Sequence, residues 1–216
     1  NKIWIFKTRC TLNMKFFPVV LASFFFLNQS FAESQVLKPE KIIKSTTEQV
    51  LERVARDKEA LKNNPGEMFR LVSDLIFPHF DFGVMSHFVM GKNWKELTDE
   101  KRQEFMDQFR KLLVRTYASA LLEFSDQEIS YIPDDSGGQA KTAKVLQQID
   151  TGTGEPMLIS YRLHNRNVDW KVFDVSVSGV SLVKPYRASF QSIANSEGID
   201  GLILSLKEKN EKFGNL

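Results

Sequence analysis

The hydrophobic period of this chain changes from 3.6 to 2 partway along its length, and this change constrains the fold more than any other feature. From Thr98 onward, apolar residues recur every third or fourth position through about seven turns, which predicts a long amphipathic helix. Its apolar positions are Phe105, Phe109, Leu112, Leu113, Tyr117, Ala120, Leu121 and Phe124. Beyond this helix the apolar residues alternate, which predicts β-strands. The order of helices, strands and helices predicts an α+β fold.

Four strands are predicted, at 129–133, 143–149, 157–163 and 170–177. The turn Asn165-Arg166-Asn167 joins the last two as a hairpin. Ser178, Gly179 and Ser181 are typical of a further turn. Helices are predicted to begin at Pro39, Asn64, Asp81, Thr98, Pro185 and Asp200. The expected architecture is a curved, mostly antiparallel four-stranded sheet, packed by several helices and enclosing an apolar pocket.

The first 32 residues predict an export signal. Met14 and Lys15 precede an apolar run at 16–27, and small residues three apart end at Ala32. The run is too short to span a bilayer, which needs about 20 residues. We therefore expect cleavage after Ala32, a true start at Met14, a periplasmic location and a single domain over 33–216.

Charge and cysteine content exclude several classes of function for residues 33–216. This part has 25 basic and 27 acidic residues, a net charge of −2, so no strong field favours nucleic acid. It has no cysteine, since Cys10 precedes the apolar run, and its core must therefore stabilise it without disulfides. No metal and no cofactor are predicted, because the histidines His79, His87 and His164 lack the spacing of a helical metal pair.

Two polar residues leave an enzymatic interpretation open. Asp174 lies within an apolar strand, where a carboxylate must be paired or protonated. The simpler interpretation is an ion pair or a cap for a neighbouring helix. The alternative is a small exported enzyme on a cone-shaped sheet, with Asp174 or His164 as general base. No phosphate-binding loop and no nucleophile elbow support it.

Several separated blocks resemble one family in the same order along the chain. The blocks are Phe80-Asp81-Phe82, Gly91-Lys92-Asn93-Trp94, Leu112-Leu113-Val114-Arg115-Thr116-Tyr117-Ala118, Trp170-Lys171-Val172-Phe173-Asp174-Val175, Gly179-Val180-Ser181-Leu182-Val183 and Tyr186-Arg187. They are similar to the MlaC, or toluene-tolerance, family, and the resemblance covers about 36–210. It implies no catalytic residue and a periplasmic carrier that shields the acyl tails of a phospholipid. Such a carrier would maintain outer-membrane lipid asymmetry in a Gram-negative envelope.

The resemblance also implies partners. These are an inner-membrane ABC transporter complex, met through an MlaD-like subunit, and an outer-membrane MlaA-like lipoprotein bound to porin. A third possibility is an adaptor that only bridges two membrane complexes and has a solid interior. Basic residues near the long helix are candidates for contact with acidic partners or anionic headgroups, although a solvated face is the simpler interpretation. They are Lys92, Lys95, Lys101, Arg102, Arg110 and Arg115, of which Lys92, Lys95 and Arg115 are the expected docking residues.

The expected wall of the lipid pocket follows from the predicted inward faces of helices and strands. The candidate tail contacts are Phe88, Phe109, Tyr117, Leu121, Ile149, Ile159, Tyr161, Phe173, Val175, Leu182 and Phe190. Periodicity places these side chains inward, but it does not separate a dry core from the wall of a cavity.

Overall fold

The computed structural model describes residues 38–123, 125–132, 141–152, 154–166 and 169–212, and it confirms the α+β fold. The predicted leader, Phe124 and Asn167 lie outside these ranges. The helices are α1 (Pro39–Asn63), α2 (Pro65–Leu75), α3 (Phe82–Met90), α4 (Asp99–Glu123) and α5 (Lys184–Lys212). The strands are β1 (Ile129–Ile132), β2 (Thr142–Ile149), β3 (Met157–Arg166), β4 (Asp169–Val177) and β5 (Val180–Ser181). Short 3-10 turns at Phe77–His79 and Gly91–Glu96 flank α3.

Side-chain caps begin three of the helices where the sequence predicts them. Asn64 accepts hydrogen bonds from the backbone N–H groups of Gly66 and Glu67 at the start of α2. Asp81 accepts one from Val84 and begins α3, and Thr98 accepts one from Lys101 at the start of α4. Each cap pairs an N–H group that the first turn of a helix leaves unsatisfied, so these boundaries follow from local chemistry.

The last helix, α5, consists of two helical runs that meet at a kink, in agreement with the two helices predicted to begin at Pro185 and Asp200. The break falls at Gly198, whose φ of 75° and ψ of 178° are non-helical. Asp200 lies just beyond that break and pairs with Lys101 of α4. The chain therefore changes direction where the second helix is predicted to begin, but it does so without a separating loop.

The sheet is antiparallel with strand order β1-β2-β3-β4-β5, so the predicted count of four strands is one too few. The additional strand is only two residues long and pairs Val180 and Ser181 with the end of β4. Ser178 and Gly179 form the connecting turn with φ values of 46° and 84°. Positive φ at both central positions is the geometry that closes a two-residue hairpin. Ser181 is thus a strand residue rather than a turn residue.

An irregularity in β4 changes which side chains face the helices. Arg162 pairs with Asp174 and Leu163 pairs with Val172, so the register between β3 and β4 skips Phe173. An extra residue of this kind is a β-bulge, and it breaks the strict alternation of faces. Val172 and Val175 consequently share the inward face although three positions separate them.

The buried apolar residues form three clusters. The first lies among α3, α4 and α5 and contains Phe105, Phe109 and Phe190; we call it the helical core. The second joins α1, α2 and α4 around Val54 and Val114. The third lies on the inward face of the sheet, where α1 contributes Ile43 and the segment before α3 contributes Phe80. The described buried residues of this sheet cluster include none from α4.

Candidate functional site

The space between the sheet and the long helix α4 is the first candidate site. The inward face of the sheet carries Val145, Gln147, Ile149, Ile159, Tyr161, Leu163, Val172 and Val175. α1 covers part of this face through Ile43, while the described buried residues of α4 pack into the other two clusters. The described buried residues of α4 therefore do not cover the apolar face of the sheet.

Tyr161 is a partly buried residue on the inward face of the sheet. Burial raises the pKa of its hydroxyl far above the usual 10, with a further contribution from Tyr131, so the group lies deep within the protein. Yet its side chain is only partly buried by accessible surface, as is that of its neighbour Ile159. Partly accessible side chains at inward positions make this face a candidate for the wall of an apolar pocket.

A polar network is fixed on this inward face. The Tyr161 hydroxyl donates to Gln147 Oε1 at 2.8 Å, and Gln147 Nε2 lies 3.2 Å from both Thr47 Oγ1 and the Tyr131 hydroxyl. Gln147 is 2% exposed, so these bonds satisfy an amide that is hidden from water. The network joins β1, β2 and β3 to α1. The remaining side chains of the inward face beside it are apolar.

The opposite wall includes Tyr117 of α4. Its hydroxyl donates to the backbone carbonyl of Leu182 at 3.0 Å, which joins α4 to the segment after β5. Burial raises the pKa of this hydroxyl above its ordinary value, and Tyr186 adds to the effect. Leu121 lies one turn further along the same side of α4 and packs against the α1–α2 cluster.

Seven of the eleven candidate pocket residues lie on the sheet side of the fold or on the second half of α4. On the sheet side they are Ile149, Ile159, Tyr161, Val175 and Leu182, and on α4 they are Tyr117 and Leu121. All except Ile149 and Val175, which are 5% and 9% exposed, keep intermediate accessible surface. These seven residues remain the candidates for contact with acyl tails.

The structure places the other four candidates away from the inward face of the sheet. Phe109 and Phe190 are 0% and 2% exposed in the helical core, where their rings meet at 5.7 Å, so no chain can pass between them. Phe88 is 41% exposed on the surface of α3. Phe173 is turned by the bulge to the outer face of the sheet, where Arg162 stands 4.8 Å from its ring centroid.

The two residues considered as general bases also lie on the outer face. Asp174 accepts a hydrogen bond from Ser181 Oγ at 2.7 Å, and its second oxygen lies 3.6 Å from Arg162. Ser181 Oγ in turn accepts from the N–H of Lys184 at the start of α5. The predicted ion pair is thus confirmed, and the carboxylate supports a helix start through Ser181.

His164 is held in a similar structural setting. Its Nε2 lies 3.0 Å from Asp81 Oδ2, although neither ring nitrogen makes a well-aligned hydrogen bond with the described residues. Asp81 also caps α3, and its N–H donates to the Val172 carbonyl. His164 and Asp81 therefore connect the sheet to the helical part of the fold, on the face opposite the interior space.

A second candidate site is a groove on the surface of the helices. It is lined by Val84, His87, Phe88, Gly91, Lys92, Lys95 and Arg187, and we call it the basic groove. The structure thus brings two of the three expected docking residues together. The third, Arg115, does not line this groove; its guanidinium donates to the Lys209 carbonyl at 3.0 Å, and burial lowers its pKa.

Sequence reasoning missed two contributors to these sites. Gln147 alternates with Val145 and Ile149, so a polar residue at an inward position was the available signal for the buried network. Arg187 joins the basic groove from α5, almost a hundred residues from Lys92, and no local pattern relates the two positions. Only the packing of α5 against α3 brings them together.

The described part of the chain has two further properties that bear on function. Its helices include none with the length and hydropathy required to cross a membrane. Nor do its described residues group three or more His, Cys, Asp or Glu side chains in a position to hold a metal ion.

Comparison with known proteins places this geometry among lipid-binding proteins. The model of a family described as "MlaC protein" matches residues 44–208. The toluene tolerance protein ttg2D of Pseudomonas putida is 28% identical over 163 residues, which are 75% of each chain. The intermembrane phospholipid transport system binding protein MlaC of Haemophilus influenzae is 23% identical over 192 residues, or 88% of each chain.

A solved structure shares the fold. It is the phospholipid-binding protein of Ralstonia solanacearum in complex with a phospholipid, and it is 29% identical to this chain with a TM-score of 0.76. The similarity covers 83% of this chain and all of the solved one.

Proposed function

We propose, from the premise that the chain belongs to the MlaC family of phospholipid-binding transport proteins, that it carries a phospholipid with its acyl tails between the sheet and α4. The observation that carries this proposal is the apolar inward face of the sheet, where Ile159 and Tyr161 are only partly buried. The headgroup would stay outside, because acyl chains alone provide ample binding energy.

The energetics explain why the tails need such a wall. Each methylene removed from water gains about 0.8 kcal/mol, so two chains of ~16 carbons gain about 20–25 kcal/mol before ordering costs are subtracted. A phospholipid therefore crosses an aqueous gap slowly unless its tails are covered. The same free energy opposes release, so a carrier of this kind requires a membrane or a partner complex to accept its lipid.

The proposed tail contacts are the seven candidates on the sheet side of the fold and on the second half of α4. They are Tyr117, Leu121, Ile149, Ile159, Tyr161, Val175 and Leu182. The Tyr117–Leu182 hydrogen bond holds the helix wall to the sheet wall, and the satisfied Gln147 network presents no unpaired amide to the tails. Phe109 and Phe190 have a supporting role in the helical core.

The finer function that we propose is shuttling in the periplasm. After export and cleavage near Ala32, the protein would exchange phospholipid with an inner-membrane ABC complex through an MlaD-like subunit. At the outer membrane it would meet an MlaA-like lipoprotein bound to porin. Family membership supports this route, which would maintain lipid asymmetry of the outer membrane.

Native mass spectrometry of gently purified protein tests the acyl site. We expect a bound phospholipid in the wild-type protein and its loss in Ile159→Trp, because the indole fills the interior. The matched control is Leu158→Trp, one residue earlier on the outer face of β3, which should keep the lipid. A wild-type protein that neither carries nor takes up phospholipid would refute the proposal.

A cellular assay tests the shuttle. In a Gram-negative strain that lacks its own MlaC homologue, the wild-type gene should restore detergent resistance and lower the phospholipid content of the outer leaflet. Ile159→Trp should fail and Leu158→Trp should succeed. If both variants rescued the strain equally, the cellular role would not depend on the proposed interior site.

The enzymatic alternative is tested by Asp174→Asn. This variant should keep full lipid transfer, whereas an enzyme that used this carboxylate would lose its activity.

A further inference from the structure

The cations of the basic groove differ from those of the neighbouring helix. On α4, Lys101, Arg102 and Arg110 each lie within ion-pair distance of a carboxylate. By contrast, the described residues place no carboxylate within that distance of Lys92, Lys95 or Arg187, and none of the residues that line the groove is acidic. Positive charge is thus concentrated at this place, on a mature chain whose net charge is −2.

An exposed aromatic ring lies among these cations. Phe88 is 41% exposed at the last turn of α3. Arg187 of α5 donates to the Phe88 carbonyl at 2.9 Å, and its guanidinium stands 5.0 Å from the ring centroid. The ring and the guanidinium are therefore held in fixed positions at the surface.

Gly91 lines the groove where α3 ends. Its φ of 59° is a backbone conformation that residues other than glycine rarely adopt. The Gln191 and Arg187 side chains of α5 lie beside it. The groove therefore combines a glycine-dependent turn of the backbone with side chains from α5.

The chemistry of the groove suits a lipid surface better than a folded protein. A stable protein interface needs about 800 Å² on each side, with several apolar anchors at its centre. The groove has one exposed ring and two lysines at its edge. An anionic bilayer surface requires no shape complementarity: the phosphates attract the cations, and the aromatic ring enters the boundary between headgroups and acyl chains.

We propose that the basic groove is a contact site for the surface of an anionic phospholipid bilayer, with Phe88 inserted and Lys92, Lys95 and Arg187 on the phosphates. This inference uses surface residues only and does not depend on tails bound between the sheet and α4. Each basic residue near an anionic surface increases binding about fivefold. The contact is therefore weak and reversible, as a protein that leaves the membrane requires.

Sedimentation with lipid vesicles tests the proposal. The probes are vesicles of equal parts phosphatidylglycerol and phosphatidylcholine, and vesicles of phosphatidylcholine alone. The wild-type protein should sediment with the anionic vesicles only, and less so as salt rises to about 0.15 M. The double variant Lys92→Glu with Lys95→Glu should lower the partition coefficient at least ~25-fold. Phe88→Ser should lower it about fivefold.

A matched double variant controls for net charge. Lys41 and Lys44 are also exposed, three residues apart and helical, so their reversal to glutamate changes the charge equally at another place. This control should sediment like the wild-type protein, and so should Ile159→Trp, whose interior is blocked.

Two outcomes would overturn the inference. One is a wild-type protein that stays in the supernatant with anionic vesicles at low salt, which would favour an acidic protein segment as the occupant. The other is an equal loss of binding in the Lys41/Lys44 and Lys92/Lys95 variants, which would show a general effect of charge. If Ile159→Trp alone failed to sediment, membrane binding would depend on the acyl site, and the proposed role of the basic groove would also be overturned.

Discussion

The helical core and the sheet-side interior are built from similar residues but are packed in opposite ways. In the helical core, the Phe109 ring lies 5.8 Å from Phe105 and 5.7 Å from Phe190, and all three side chains are at most 2% exposed. On the inward face of the sheet, Tyr161 and Ile159 keep accessible surface although they lie among apolar neighbours. Ring-to-ring contacts bury the side chains of the first region, whereas Tyr161 and Ile159 in the second are only partly buried.

The helix α4 takes part in both regions. Its first half contributes Phe105 and Phe109 to the helical core, while Tyr117, two to three turns later, bonds to Leu182 at the edge of the interior. The pattern of apolar residues along α4 is the same throughout. The difference comes from what lies opposite: α3 and α5 pack on the first half, and the sheet stands away from the second. Aromatic content by itself therefore does not identify a lipid site.

The largest expected effect is at the centre of the helical core. Phe109→Ala should lower the free energy of unfolding by about 3–5 kcal/mol, because it leaves a cavity in a region without free space. Urea denaturation of the mature protein measures the change. The control is Phe88→Ala, which should lower the free energy of unfolding by less than about 0.5 kcal/mol because the Phe88 ring is exposed. Equal stability losses in the two variants would show that the core is not as closed as its contacts indicate.

Two adjacent residues test the boundary between the regions directly. Val183 is 2% exposed in the helical core, and Leu182 is partly exposed beside the sheet cluster. Val183→Trp should overpack the core and lower the free energy of unfolding by about 1–3 kcal/mol. Leu182→Trp should change stability less, yet reduce the lipid retained in native mass spectrometry. A reversal of these two results would contradict the proposed division.

The hydrogen bond between the walls has a smaller expected effect. Tyr117→Phe removes the donor to the Leu182 carbonyl and should lower the free energy of unfolding by about 0.5–1.5 kcal/mol. If the bond holds α4 to the segment after β5, the Tyr117→Phe variant should also exchange lipid with vesicles faster than the wild-type protein does. Ser119→Ala, at an exposed position two residues further along α4, serves as the control. Unchanged exchange in Tyr117→Phe would remove this role.

A weak pH effect is expected where the 3-10 turn meets the sheet. Burial, and then the charge of Lys171, hold the pKa of His79 below its usual 6.5. The folded protein therefore binds the proton less readily than the unfolded chain, and this contribution to stability falls as the pH drops below about 6.5. Between neutral and mildly acidic pH, the free energy of unfolding should fall less in His79→Gln than in the wild-type protein. Thermal unfolding at both pH values measures the difference, and identical losses would argue against it.

Local sequence signals predicted the helices and the longer strands, but they missed the short strand β5 and the bulge in β4. Asn64, Asp81 and Thr98 cap helices where expected, because a cap needs only a side chain and the next turn of backbone. β5 was missed because two residues are too short to show alternation. The bulge at Phe173 was missed because it is a property of the pairing between β3 and β4, which neither strand encodes alone.

The candidate site divides in the same way. Alternation in β2 and β3 places Ile149, Ile159 and Tyr161 on one face of the sheet. Phe173 departs because the bulge reverses its face, and Phe109 and Phe190 because helices rather than strands lie opposite them. The basic groove was half predicted: Lys92 and Lys95 are close in sequence, and Arg187 joins them only through the α3–α5 contact.

By itself the sequence determined the order of helices and strands, the caps, the absence of disulfides from residues 33–216 and the resemblance to a lipid-carrying family. Each of these depends on neighbouring residues or on residue types. Only the tertiary structure decided which apolar face stays open and which cations remain unpaired, because openness and pairing depend on the element that lies opposite. The hydrophobic period specifies that a side chain points away from solvent, but what it meets there is set by residues far along the chain.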